Sequence, residues 1–235
     1  MRKTFQLSLT AVFAALHAVL YFVSFGLWRN WAIYIESIEG IILGPRIGFL
    51  AAFLGSSIAR MARPDSLWMF GIIAEPVSVL AAGFLAQTRW KPVLALYALM
   101  LIPYFVHPFG RAFPLWTIMD ILLALVLIYP AAKLSKNLFK TDVKRLTIAL
   151  VLISFVCTTT DSLTRVFLLV PCGFYNMFPG LFGGFEGLYL MFVGAAADSY
   201  VEDLIVVIVS FLVGVPLLIG LLKQRSLREK RNVME

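Results

Sequence analysis

Ile38-Glu39-Gly40-Ile41-Ile42-Leu43-Gly44-Pro45-Arg46-Ile47-Gly48-Phe49-Leu50-Ala51-Ala52-Phe53-Leu54-Gly55 is the stretch on which the topology turns. It sits inside an apolar run, 36–62, that would otherwise make one long membrane helix. Gly44 frees the backbone, Pro45 removes an amide donor and Arg46 avoids a bilayer centre, so the run is expected to break there. The pieces become Trp31–Gly44 and Pro45–Ala62, short for full spans at about 1.5 Å per residue, so that one of them tilts or re-enters.

Working outward, six more apolar runs appear at about 7–25, 67–87, 92–106, 114–134, 146–169 and 198–222, separated by Pro-, Gly- or charge-rich connections. Hydrophobic residues make up 61% of the 235 and charged residues 14%, which excludes a soluble domain of this length. The mean hydropathy of +0.91 agrees. The runs are continuous instead of alternating with period two, so the spans are helices and not barrel strands. The expected fold is all-α: a polytopic membrane bundle of six to eight segments, residues 1–222 forming one transmembrane domain and 223–235 a basic cytoplasmic tail. The first run follows Met1-Arg2-Lys3 and reads as an uncleaved span instead of a signal peptide.

Seven runs would place the two basic termini on opposite sides; breaking 36–62 restores both to the cytoplasm. With that break, 14 of the 20 basic residues fall inside, including Arg89, Lys91 and the cluster from Lys133 to Arg145. The net charge of +7 then orients the chain in a lipid bilayer, and nucleic acid is not an expected partner. Ten of the 13 acids fall on the outer side or in the outer half of a span: Glu36, Glu39, Asp65, Glu75, Asp120, Asp161, Glu186, Asp198, Glu202 and Asp203. Ionisable groups at membrane depth face a bundle interior or a water-filled cavity, so a site open to that side is expected.

Asp161 and Arg165 share a helix face at i,i+4 within Thr158-Thr159-Thr160-Asp161-Ser162-Leu163-Thr164-Arg165. They either bind a ligand or form an ion pair that makes the helix tolerable in lipid, with the hydroxyls bonding back to the previous turn. Glu75-Pro76 builds polar chemistry into another span, as broken helices of transporters do, or is a packing kink; Asp120 carries the same two readings. The segment Trp28-Arg29-Asn30-Trp31-Ala32-Ile33-Tyr34-Ile35-Glu36 mixes flat rings with Asn30 and Glu36 and suits a heteroaromatic ligand, with Asn176 joining from the last outer loop. The carboxylate excess favours a cationic or neutral polar ligand. There is no P-loop, no His-Glu-x-x-His and no Gly-x-Ser-x-Gly, and the two histidines, His17 and His107, are far apart in the chain, so neither an enzyme, a cofactor nor a metal is expected. Cys157 and Cys172 are not expected to pair. In the first span Ala11 with Ala15 and Ala14 with Ala18 are small-xxx-small pairs that admit another helix, of this chain or of a partner.

Three of these features together resemble the substrate-binding S components of energy-coupling factor (ECF) transporters, importers of vitamins and related micronutrients in prokaryotes. They are the alanine pattern at Ala11 and Ala15, the stretch from Ile38 to Gly55 meeting at Gly44-Pro45, and the closing Val213-Gly214-Val215-Pro216 before a basic tail. The resemblance implies six helices holding a vitamin-like ligand near the outer face of the plasma membrane. It implies that Ala11 and Ala15, with Ala14 and Ala18 as neighbours, dock on a membrane coupling subunit driven by cytoplasmic ATPases. An extra hairpin at about 92–134 departs from the family's pattern. Two other classes compete: a self-sufficient proton-coupled secondary transporter, and a membrane enzyme or assembly factor without transport.

Overall fold

A computed structural model describes residues 3–23, 30–64, 67–136, 138, 142–221 and 223. The order is α1 (Lys3–Tyr21), α2 (Ile33–Leu43), α3 (Pro45–Ala62), α4 (Trp68–Ala86), α5 (Trp90–Val106), the short α6 (Pro108–Ala112), α7 (Met119–Leu134), α8 (Val143–Leu169), the single turn α9 (Pro179–Phe182) and α10 (Phe185–Val209). There is no strand among the described residues. Four helical stretches are long and apolar enough to cross a membrane: Trp68–Ala86, Leu115–Leu134, Val143–Leu169 and Phe185–Leu221. Gln6–Tyr21 and Trp90–Val106 are shorter apolar helices. The fold is therefore an all-α bundle with the composition of a membrane protein.

The break at Gly44-Pro45 is real. Gly44 takes φ +77°, a region closed to most side chains, and its amide closes α2 on the Gly40 carbonyl at 3.0 Å while Pro45 opens α3. This hinge rests on α4, where a Cβ at Gly83 would lie 2.5 Å from the Pro45 nitrogen and 2.6 Å from its Cα. Lipid offers no hydrophobic drive for helix association, so contact depends on small residues that let backbones approach. Gly40, Gly48 and Gly83, with Ala82 against Gly40, supply that surface between α2, α3 and α4, and Ala51, Ala52, Ala59, Ala74 and Ala81 are fully buried on the same helices. Farther along α3, a Cβ at Gly55 would meet the Ala14 carbonyl at 2.7 Å, which fixes how closely α1 lies.

The alanines of α1 consequently divide. Ala14 and Ala18 are buried, whereas Ala11 and Ala15, on the adjoining face of the helix, are exposed. The expected hairpin at 92–134 is α5, α6 and α7. It shares one apolar core with α8, through Tyr97, Tyr104, Ile121, Ile128, Leu150 and Ile153, instead of standing apart. The last helix differs from expectation: it begins at Phe185, not near 198, since 185–197 is itself apolar and the helix runs through Gly187 and Gly194 without interruption. It continues through a π turn at Ser210–Gly214, which seats Gly214 against Leu150 and Ile38.

Candidate functional site

Five helices each contribute an ionisable side chain to one buried cluster, with Glu75 of α4 at its hub. Its Oε1 accepts from Arg60 Nη2 of α3 at 2.5 Å and from Asn30 Nδ2 at 3.1 Å, with Arg165 Nη2 of α8 3.6 Å away. Its Oε2 accepts from Arg60 Nη1 at 3.1 Å and from Ser56 Oγ, and lies 3.0 Å from Nε2 of His17 on α1. The other nitrogen of His17, Nδ1, is 3.2 Å from Glu39 Oε2 on α2. One turn earlier on α2, Glu36 Oε2 accepts from Ser78 Oγ. His17, Glu36 and Glu39 have no exposed surface, Glu75 has 2% and Arg60 5%. Charges so deeply buried persist only when paired and hydrogen-bonded, which this network largely provides. Glu36 Oε1, Glu39 Oε1 and Arg60 Nε have no hydrogen-bond partner among the described residues.

Local sequence explains how these groups meet. Arg60 lies one turn beyond Ser56 on α3, and its guanidinium crosses α4 over Gly71, where any side chain would overlap it. Asn30 Oδ1 accepts from the Ala32 amide at 2.9 Å, a turn that launches α2 and holds the Asn30 amide toward Glu75. On α8 the ion pair expected at i,i+4 is formed, with Arg165 Nε 2.7 Å from Asp161 Oδ2 and Nη2 3.2 Å from Oδ1. Most neighbouring hydroxyls back-bond as expected: Thr159 to Phe155, Thr160 to Val156, Ser162 to Thr158 and Thr164 to Thr160. Thr158 instead donates to Asp203 of α10 at 2.9 Å, and Tyr97 of α5 reaches Thr159 and Thr160 at 3.1 and 3.2 Å.

Above this cluster opens a cavity of about 440 Å³, within the size range of small-molecule sites. Asn30, Arg60 and Arg165 form its floor and one side; Asp120 of α7 and Glu202 of α10 are on its wall, with Arg63 beside Tyr21. Phe70, Phe182 and Phe192 add flat apolar surface.

Of the residues expected to bind a ligand, Asn30, Asp120 and Arg165 line this cavity, and Glu75 and Asp161 stand immediately behind its arginines. Glu36 is buried deeper, against Ser78. Trp31 and Tyr34 stack edge to face at 5.5 Å in a cluster with Ile33 and Val206, off the cavity lining. Asn176 is exposed in the turn Phe174–Met177 and does not line the cavity. Trp28 lies outside the described residues, as does Asp65. The expected carboxylate excess is not what the lining presents, since three guanidiniums accompany Asp120 and Glu202. The reason is that Arg60 and Arg63, which the charge count simply leaves on the outer side, sit at the end of α3 where it enters the cavity. Sequence reasoning also missed His17. Its only signal was an imidazole inside an apolar helix beside small residues. Cys157 and Cys172 are both free thiols.

No family model matches the chain, and no solved structure matches it. An uncharacterized protein of Methanocaldococcus jannaschii is similar, 26% identical over 131 residues. That similarity covers 55% of this chain and 44% of the archaeal one, so the match spans less than half the relative's length.

Proposed function

We propose that this chain is the membrane-embedded substrate-binding subunit of an ECF-type importer in a prokaryotic plasma membrane, which captures a vitamin-like micronutrient and works with partner subunits that hydrolyse ATP. The observation that carries the reading is the division of α1: Ala14 and Ala18 pack inward, while Ala11 and Ala15 present a small-residue stripe on the exposed face. A helix from a coupling subunit fits that stripe closely, and the 440 Å³ cavity takes the ligand. Asn30, Arg60, Arg165 and Asp120 supply its polar contacts, and the phenylalanines stack on its flat parts. Co-expression with candidate coupling and ATPase subunits tests this: the complex co-purifies with the wild type and is lost from Ala11→Trp/Ala15→Trp, while ligand binding by the isolated chain is retained. Mass spectrometry of the solubilised protein identifies the bound small molecule.

A second reading, a self-sufficient proton-coupled transporter, draws support from the buried ionisable cluster around Glu75 and Asp161 and from Asp120 on the cavity wall. Uptake by the chain alone in liposomes, dependent on a pH gradient, favours that reading over the first.

A further inference from the structure

Among the described residues, the groups around His17 are short of positive charge. Glu36, Glu39 and Glu75 bring three carboxylates to it and Arg60 one guanidinium, while Asp161 and Arg165 pair with each other. With His17 neutral, two negative charges are left over among these groups, at a depth where an uncompensated ion is strongly disfavoured. The hydrogen bonds point the same way. Carboxylate oxygens only accept, so a proton on His17 Nδ1 given to Glu39 leaves the Nε2 lone pair directed at Glu75 Oε2, 3.0 Å away. Two acceptors facing each other at that distance need a proton or a metal cation between them. Glu36 approaches the same point from α2, fully buried, with Oε1 lacking a hydrogen-bond partner among the described residues. One ligating atom each from His17, Glu36 and Glu75 lies within 4.8 Å of the others.

From this geometry we infer that His17, Glu36 and Glu75 form a binding site for a divalent transition-metal ion, with Glu39 orienting the imidazole from behind. One nitrogen and two carboxylate ligands suit zinc, manganese, cobalt or nickel, whereas calcium and magnesium prefer all-oxygen shells. The Glu39–His17 contact is the arrangement in which a carboxylate fixes a metal-binding histidine's tautomer. Ligands about 2.1 Å from a tetrahedral ion sit roughly 3.4 Å apart, so the three side chains close in by about an ångström on loading. Ser56 Oγ, 3.1 Å from His17 Nε2, is placed to give a fourth ligand. The ion would bring the cluster's charge to neutrality and tie α1, α2 and α4 together beneath the cavity. The site does not depend on whether the chain docks on a coupling subunit.

The test uses the full chain without a histidine tag, purified in detergent, stripped with chelator and reloaded with Co²⁺ or Zn²⁺ at micromolar concentration. The expected result is one equivalent of metal retained through desalting, measured by elemental mass spectrometry, with the visible absorption of low-coordinate Co²⁺. Glu36→Gln, isosteric and uncharged, drops retention below about a tenth of an equivalent while keeping a monodisperse elution profile. Glu39→Gln weakens affinity by about 10- to 100-fold without abolishing it. His107→Gln leaves binding unchanged. Retention by the wild type no higher than by Glu36→Gln, or equal loss on replacing His107, overturns the proposal and leaves the cluster to protons alone.

Discussion

Gly71→Ala adds one methyl group to α4, and its effect on stability tests how the buried charges are held. In a helix interior this change ordinarily gains up to about 1 kcal/mol. Here the new Cβ would overlap Nη2 and Cζ of Arg60 and lie 2.8 Å from its Nε, so the guanidinium must swing aside. Arg60 makes two hydrogen bonds to Glu75, at 2.5 and 3.1 Å, and losing one charge-assisted bond costs about 1.5–3 kcal/mol. The net expectation is a loss of about 0.5–2 kcal/mol. For a chain of this size that lowers the unfolding midpoint by a few degrees, at roughly 2–4 °C per kcal/mol. The sign is the sharper test. In an Arg60→Met background no guanidinium lies in the way, so Gly71→Ala raises the midpoint instead of lowering it. Thermal unfolding in detergent of the wild type, both single variants and the double variant closes the cycle. If Gly71→Ala shifts the midpoint equally in both backgrounds, the account of Arg60 lying across α4 is wrong.

Gly83→Ala forces a methyl onto the Pro45 backbone, which cannot retreat as a side chain can, and is expected to cost about 1–3 kcal/mol or more. Gly194→Ala, where nothing lies within 4 Å, is the matched control, and the midpoints should separate the two. Ala14→Leu overpacks α1 against α3 and lowers the midpoint, whereas Ala15→Leu on the exposed face leaves it unchanged and, on the proposed function, abolishes capture by the coupling subunit. Tyr97→Phe removes the hydroxyl shared by Thr159 and Thr160; both threonines keep carbonyl acceptors, so the loss stays near about 1 kcal/mol in the same unfolding assay.

The hinge at Gly44-Pro45 was legible because its cause is local: two residues alter the backbone whatever surrounds them. The Asp161–Arg165 pair was legible for the same reason, since helical periodicity alone brings the two together. His17 and Arg60 were not, although they complete the cluster. Their partners lie 22 and 58 residues away for His17 and 15 residues away for Arg60, across helices whose contact is set by Gly55 and Gly71. The charge count registered Arg60 and Arg63 only as outer-side charges, because it scores sidedness and cannot register a carboxylate waiting on the next helix. The start of α10 was displaced because glycine-rich sequence reads as a connection, whereas Gly187 and Gly194 lie inside the helix without breaking it.

The brevity of α2 has a consequence for what can enter the cavity. Its 11 residues rise about 16 Å from a hinge level with Gly83, while the 19 residues of α4 extend about 28 Å. Asn30, which precedes α2 and bonds Glu75, therefore sits near the middle of α4 instead of at its end. A molecule that touches Asn30 has given up part of its hydration and relies there on the hydrogen bonds the walls return to it. Each polar group left unmatched there carries a penalty of about 2 kcal/mol or more. On the proposed function, selection at that depth works by dehydration: close analogues with one surplus polar group are turned away by the water they cannot keep.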